Sequence, residues 1–181
     1  MGHYVVGVDY IDEPGVHERV DEFFRADLDE GLPDVGGEYD VVIAADVIEH
    51  VVRPEVLLAD MAKKLGPSGR LLVSTPNFGH WYPRMRVMSG TFDYDRRGIL
   101  DETHLRFFTR RGLLRTLASA RLTLEELRYT GLPLGVVHVG GTPRTLINRL
   151  DSSLVRAWPT LFGYQFVALL RPKNFNSESH P

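Results

Sequence analysis

Cysteine is missing altogether from the 181 residues, which excludes disulfides, thiolate nucleophiles and cysteine-held metal centres together. Charge of one sign is also scarce. The formal net charge is −3, which predicts neither a nucleic-acid binder nor a self-repelling disordered chain. No apolar run approaches the roughly 18 residues of a membrane span, and the first residues lack the basic and apolar regions of a secretory leader. Gly2 follows the initiator, yet Val6 stands where a myristoylation signal needs Ser or Thr. A cytoplasmic protein that engages neither nucleic acid nor membrane is expected. Internal repeats and low-complexity tracts are absent too. What is present is ordinary: 43% hydrophobic and 25% charged residues, in a length able to bury roughly 70% of the surface of its unfolded chain as one domain.

The chain opens on "MGHYVVGVDY". Val5 to Val8 read as a short buried strand, and Asp9 stands where such a strand meets its loop. In open α/β sheets the carboxyl ends of strands face the ligand crevice, where a carboxylate can accept hydrogen bonds from two ribose hydroxyls. Asp9 could equally cap a turn or a helix. The stretch "GVHERVDEFF" puts Val16, Val20, Phe23 and Phe24 on one helical face, and "RADL" predicts a short strand ending near Asp27. "YDVVIAAD" reads as a continuous buried strand from Tyr39 to Ala45. Pro54 suits the first turn of a helix lined by Leu57, Leu58, Met61 and Leu65, which Gly66-Pro67 stops. "GRLLVSTPN" is the next strand.

From Phe78 to Phe108 periodicity fades and the composition turns aromatic and charged, which points to a lid over an acceptor site. Thr109 caps a helix carrying Leu113, Leu114 and Leu117, and "RLTLEELRY" alternates as a strand. Thr142-Pro143 opens a helix through Leu146, Ile147, Leu150 and Leu154, with Trp158 expected in the core. "GYQFVALLRP" makes a final strand, and residues 172–181 form a loose tail after a single domain over 1–171. Strands alternating with helices indicate an α/β fold with a largely parallel sheet. The last two strands break that rhythm, so an antiparallel C-terminal edge is expected.

The run from Tyr39 to Asn77, with its "EH" step and "GPSGRLLVSTPN" strand, together with the downstream "GILDETHLRFFT", resembles the class I S-adenosylmethionine-dependent methyltransferases, in particular the ubiquinone/methionine-biosynthesis-like branch. The resemblance runs from Tyr4 to about Arg171 and implies a Rossmann-like fold with S-adenosylmethionine as cofactor. It implies that Asp9 holds the ribose hydroxyls with Tyr10 flanking the adenine, that Asp27 accepts from the adenine amino group with Leu28 lining its pocket, and that Asp46 and Val47 pass beneath the methionine moiety. The family's first strand and glycine-rich loop, normally ahead of Tyr4, have no counterpart here, so the chain is expected to be N-terminally truncated relative to the family. In the family's sheet that strand is central. Its loss would leave backbone groups unpaired at on the order of 1–3 kcal/mol each where they are buried. Direct pairing across the gap, a strand from a partner chain or second copy, or a longer native protein would each repair it.

A sulfonium methyl is already activated, so transfer chiefly requires an acceptor aligned with the carbon–sulfur bond. A hydroxyl acceptor also needs a base, for which His50 and His104 are the candidates, against roles in capping or in holding the lid. Asp46, Glu49 and His50 have D-x-x-E-H spacing, and His104 could complete an oxygen/nitrogen set for a divalent metal. This spacing resembles the E-x-x-E-H site of some metal-dependent O-methyltransferases, with Asp in the first place. The preferred reading leaves them as pocket border and helix cap without metal. In the lid, His80, Trp81, Tyr82, Arg84, Arg86, Phe92, Tyr94 and Arg106 could hold a ring, a sugar or an anion, or form a dimer contact. The expected activity is methylation of a small molecule or glycan, most often at oxygen. A non-catalytic methyltransferase-like subunit is the alternative. A nicotinamide dehydrogenase shares the ribose carboxylate but leaves "DVIEH" unexplained.

Overall fold

The computed structural model describes residues 2–132 and 144–173, the last including the backbone alone of 144–148. Two sheets carry the strands. In the smaller, β1 (Val6–Asp9) pairs in parallel with β2 (Glu22–Arg25). The larger has the order β3-β4-β6-β5, built from β3 (Tyr39–Ala45), β4 (Leu65–Pro76), β5 (Leu122–Thr130) and β6 (Gln165–Pro172). β3 and β4 are parallel, and β6 runs against both β4 and β5. The fold is α/β and Rossmann-like, with the antiparallel C-terminal edge the sequence implies.

Helix α1 (Pro54–Lys63) begins where proline costs no hydrogen bond, and buries Leu57, Leu58 and Met61. It ends before Gly66-Pro67, so Leu65 enters β4 rather than the helix. Gly69 permits the close pass of β4 beside β3, since a Cβ there would sit 2.7 Å from the Tyr39 carbonyl oxygen. Thr109 caps the helix α3 (Arg110–Ser119) as its sequence position predicts, its Oγ1 accepting from the Gly112 N–H at 3.2 Å. Leu113 and Leu117 of that helix meet Ile48, Leu58, Leu71, Phe166 and Leu170 in one core, each such side chain worth about 2 kcal/mol of burial.

Several expectations change. β3, expected to be a continuous buried strand, exposes Val41 and Ile43. The helix expected over Val16–Phe24 is a single 3-10 turn, Val16–Glu18, followed by β2. Phe23 lies opposite Gly7 in the strand register, and Val20 and Phe23 close over the space where Gly7 lacks a side chain, so pairing with β1 overrides the helical periodicity. Within the lid, α2 (Trp81–Met88) is helical, capped by His80, whose Nδ1 accepts from the Tyr82 N–H at 3.3 Å. Trp158, expected in the core, is 58% exposed at the junction of α4 (Arg144–Ala157) and α5 (Pro159–Phe162), where it precedes the prolyl first turn of α5. Thr142-Pro143, the side chains of Leu146 and Ile147, and the tail from 174 on lie outside the described residues.

The outer edges of β1 and β3 pair with no other strand among the described residues. Val5, Val41 and Ile43, in or beside these strands, are exposed. The two sheets are joined elsewhere. Asp29 Oδ1, just after β2, accepts from the Val52 N–H before α1 at 2.7 Å, and Leu28 and Leu32 pack on the main core.

Candidate functional site at the ends of the parallel strands

β3 ends in a turn that few residues adopt. Asp46 has φ +52°, the left-handed region that aspartate tolerates better than most side chains. Its N–H donates to the Ser74 carbonyl at 3.2 Å, and its Oδ1 accepts from Gln165 Nε2. Val47 is half-buried against the core. The turn delivers Glu49 into the interior. It is 1% exposed, and neither carboxylate oxygen has a hydrogen-bond partner among the described residues. Burial pushes its carboxyl up to about 8; the neighbouring Asp46 charge adds to the rise and Thr75 opposes it.

The Glu49 carbonyl oxygen accepts from the N–H groups of both Leu105 and Arg106, at 2.8 and 2.9 Å. That fork fixes the segment around residue 105 and brings His104 onto His50, with the rings 4.8 Å apart at 67°. His50 Nδ1 lies 3.2 Å from the Thr103 carbonyl oxygen, and His104 Nδ1 lies 3.3 Å from that of Ile99. A carbonyl oxygen only accepts, so each Nδ1 carries the proton and each Nε2 presents its lone pair. Burial holds the His104 imidazole below its ordinary value. One ligand atom from each of Glu49, His50 and His104 lies within 4.8 Å of the other two. Asp46 is not part of that cluster, which corrects the four-residue set suggested by spacing.

Asp9 ends β1, and Asp27 follows two residues after the end of β2. Asp9 is opposite Arg25 in the register, and its carbonyl accepts from the Ala26 N–H at 3.0 Å. Both carboxylates are exposed, each with one oxygen in a local turn, Asp9 with the Ile11 N–H at 3.0 Å and Asp27 with the Asp29 N–H at 2.9 Å. Tyr10 is exposed with the Arg25 guanidinium 5.8 Å from its ring centroid, and Leu28 is half-buried beside the main core.

The lid residues divide. Tyr82 donates to Asp95 at 2.7 Å and accepts from Arg86 at 2.6 Å, Arg84 donates to the Gly79 carbonyl at 2.7 Å, and Arg106 donates to the Val52 carbonyl. These three are held by the protein itself. Trp81 and Tyr94 keep exposed faces, Tyr94 stacked on Phe107 at 6.3 Å. A cavity of about 310 Å³ opens between Pro54, Arg106, Phe107 and Arg115, and none of the expected cofactor contacts lines it.

A methyltransferase-domain family model matches residues 2–127, which runs from β1 into β5 and includes the carboxyl ends of β1, β2 and β3. The chain belongs to the class I S-adenosylmethionine-dependent methyltransferases. The chain is 30% identical over 141 residues to a probable S-adenosylmethionine-dependent methyltransferase of Mycolicibacterium smegmatis, covering 76% of this chain and 48% of the relative. It is 40% identical over 76 residues to the ubiquinone biosynthesis O-methyltransferase of Azorhizobium caulinodans, covering 42% of this chain and 28% of that protein. The chain thus spans half or less of the length of these two relatives. In fold it matches the 1,6-didemethyltoxoflavin-N1-methyltransferase of Burkholderia thailandensis, solved with S-adenosylhomocysteine, at a TM-score of 0.55 and 19% identity over 96% of this chain and 63% of that one. Among the described residues no helix is long and apolar enough to cross a membrane.

Two features of the chain escape a reading of its sequence. Gln165 reaches Asp46 only because the β4–β6 register sets it opposite Pro76, beside Ser74, and no local pattern signals that. The orphaned Glu49 carboxylate is equally invisible, although its "EH" step marks the place.

Proposed function

We propose that the chain transfers a methyl group from S-adenosylmethionine to a hydroxyl of a small molecule or glycan. The observation that carries this reading is the set of groups following β1, β2 and β3: two exposed carboxylates, then a left-handed aspartate leading directly into a buried carboxyl and two imidazoles with available lone pairs. Asp9 holds the ribose hydroxyls, Asp27 the adenine amino group, and Tyr10 and Leu28 flank the base. Asp46 and Val47 carry the chain beneath the methionine moiety.

The chemistry needs little from the protein beyond alignment. The carbon–sulfur bond breaks with its electron pair passing to sulfur, while the acceptor oxygen bonds to the methyl carbon and gives up its proton. The products are a methyl ether, S-adenosylhomocysteine and that proton. His50 and His104 supply basic nitrogens where the hydroxyl would lie, and holding the reactants at near-attack distance is worth several kcal/mol. Trp81 and Tyr94 offer faces for an aromatic or sugar ring, and Tyr82, Arg84 and Arg106 shape the wall behind them. The O-methyltransferase name of the Azorhizobium relative favours oxygen.

Titration of S-adenosylhomocysteine into the full chain tests this reading, followed by transfer of isotope-labelled methyl to phenols and sugars. One binding site and a labelled ether are expected. Absence of any binding heat would instead favour a non-catalytic subunit that works through a second chain.

A further inference from the structure

The geometry points to a second ligand site in the cavity between α1 and α3, built for a small hydroxylated anion of the sugar-phosphate class. It goes beyond the methyl-transfer reading and does not depend on it.

Helix α3 carries two stripes. Leu113 and Leu117 enter the core, whereas Gly112, Arg115, Thr116 and Ser119, spaced i, i+3, i+4 and i+7, share another side of the helix and line the cavity of about 310 Å³. The first turn of α1, at Pro54 and Glu55, and the segment Arg106–Phe108 close the remaining walls. That volume is at the lower end of the range of about 300–1,000 Å³ for small-molecule sites, which suits one sugar ring with its anionic group. None of the acids or imidazoles at the strand ends lines it.

A gap left by helix packing alone would be walled by apolar side chains. This one presents two guanidiniums, a carboxylate and two hydroxyls. Arg106 is already oriented, since it donates to the Val52 carbonyl, and a guanidinium has five N–H groups to give. Arg115 makes no ion pair or side-chain hydrogen bond among the described residues. Two such forks around one space match the oxygens of a phosphate. Glu55, half-buried in the same wall, also has no ion-pair partner among the described residues. Its carboxylate repels a bare anion and accepts from hydroxyls, and this narrows the ligand class. Ser119 adds a second acceptor, because its own proton goes to the Arg115 carbonyl at 3.0 Å and leaves its lone pairs available. Phe107 supplies an apolar surface for the ring.

The test is calorimetric titration of the full chain with glucose 6-phosphate, with inorganic phosphate and glucose as controls. One site is expected with a dissociation constant below about 1 mM, at least about tenfold tighter than for either control and unchanged when S-adenosylhomocysteine is present. Arg115→Gln, at an exposed position of α3, is expected to weaken it at least about tenfold with melting temperature and S-adenosylhomocysteine affinity as in wild type. Ser119→Trp, which fills the cavity, is expected to abolish it. No binding tighter than about 1 mM, inorganic phosphate bound as tightly as glucose 6-phosphate, or Arg115→Gln binding as wild type does, overturns the inference. Displacement of glucose 6-phosphate by S-adenosylhomocysteine overturns it as well, since the cavity would then belong to the cofactor. Absence of S-adenosylhomocysteine binding, with the glucose 6-phosphate site intact, overturns the methyl-transfer reading and leaves the cavity site standing.

Discussion

Asp9 closes β1 and Asp27 follows β2; Asp46 and Glu49 follow the end of β3. All four are acids at the carboxyl ends of parallel strands, yet their surroundings are opposite. The first pair is exposed and steadied by its own turns, so its oxygens exchange water for a polyhydroxyl ligand at little cost. Glu49 is buried and unsatisfied, and its approach through Asp46 requires a backbone conformation costing on the order of 1 kcal/mol. A protein retains such a group where chemistry uses it. The proposed function thus places binding and reaction at different strand ends.

Substitutions that separate the two functions test that division most severely. Glu49→Gln is expected to lower kcat by about 10²–10³-fold with S-adenosylhomocysteine affinity unchanged, as read by steady-state kinetics beside calorimetry. Asp9→Ala is expected to do the reverse, weakening S-adenosylhomocysteine by about tenfold to a hundredfold through loss of charged hydrogen bonds, with melting temperature nearly unaltered. If Glu49→Gln abolished nucleoside binding while Asp9→Ala left it intact, the assignment would be inverted.

His80 sharpens the contrast from outside the site. It is 1% exposed, its Nε2 lacks a partner among the described residues, and burial lowers its pKa from 6.5 to about 4. Between those values the unfolded chain binds the proton more readily than the folded one does. Stability should therefore be fully present above pH 6.5 and fall as pH drops towards 4, by about 1.4 kcal/mol per pH unit at the steepest. Urea titrations at several pH values should show this slope, and His80→Phe should flatten it. The smallest effect belongs to Thr109→Ala, which removes the α3 cap for about 1 kcal/mol of stability and leaves nucleoside affinity unchanged.

What could be read from the sequence follows the range of the interactions. β3, α1, α3, β5 and β6 are legible because local periodicity, a first-turn proline and a threonine cap all agree with the packing. The Val16–Phe24 helix fails because Val20 and Phe23 satisfy a helical stripe as well as the packing over Gly7 in a strand, and only pairing with β1 decides. α2 is hidden by Pro83 and by arginines that interrupt any apolar stripe. Within the site, Asp46, Glu49 and His50 stand together in one short motif. His104 joins them through backbone bonds from Leu105 and Arg106 to Glu49, and Gln165 through sheet register. Neither contact has a signature in composition or spacing.

The division of labour hangs on where the nucleoside lies, and photo-crosslinking of labelled S-adenosylmethionine to the full chain, with peptide mapping, locates it directly. Label in the peptides carrying Asp9 to Leu28 or Asp46 to His50 is the outcome predicted. Label confined to Arg106–Ser119, beside the cavity between α1 and α3, would contradict it.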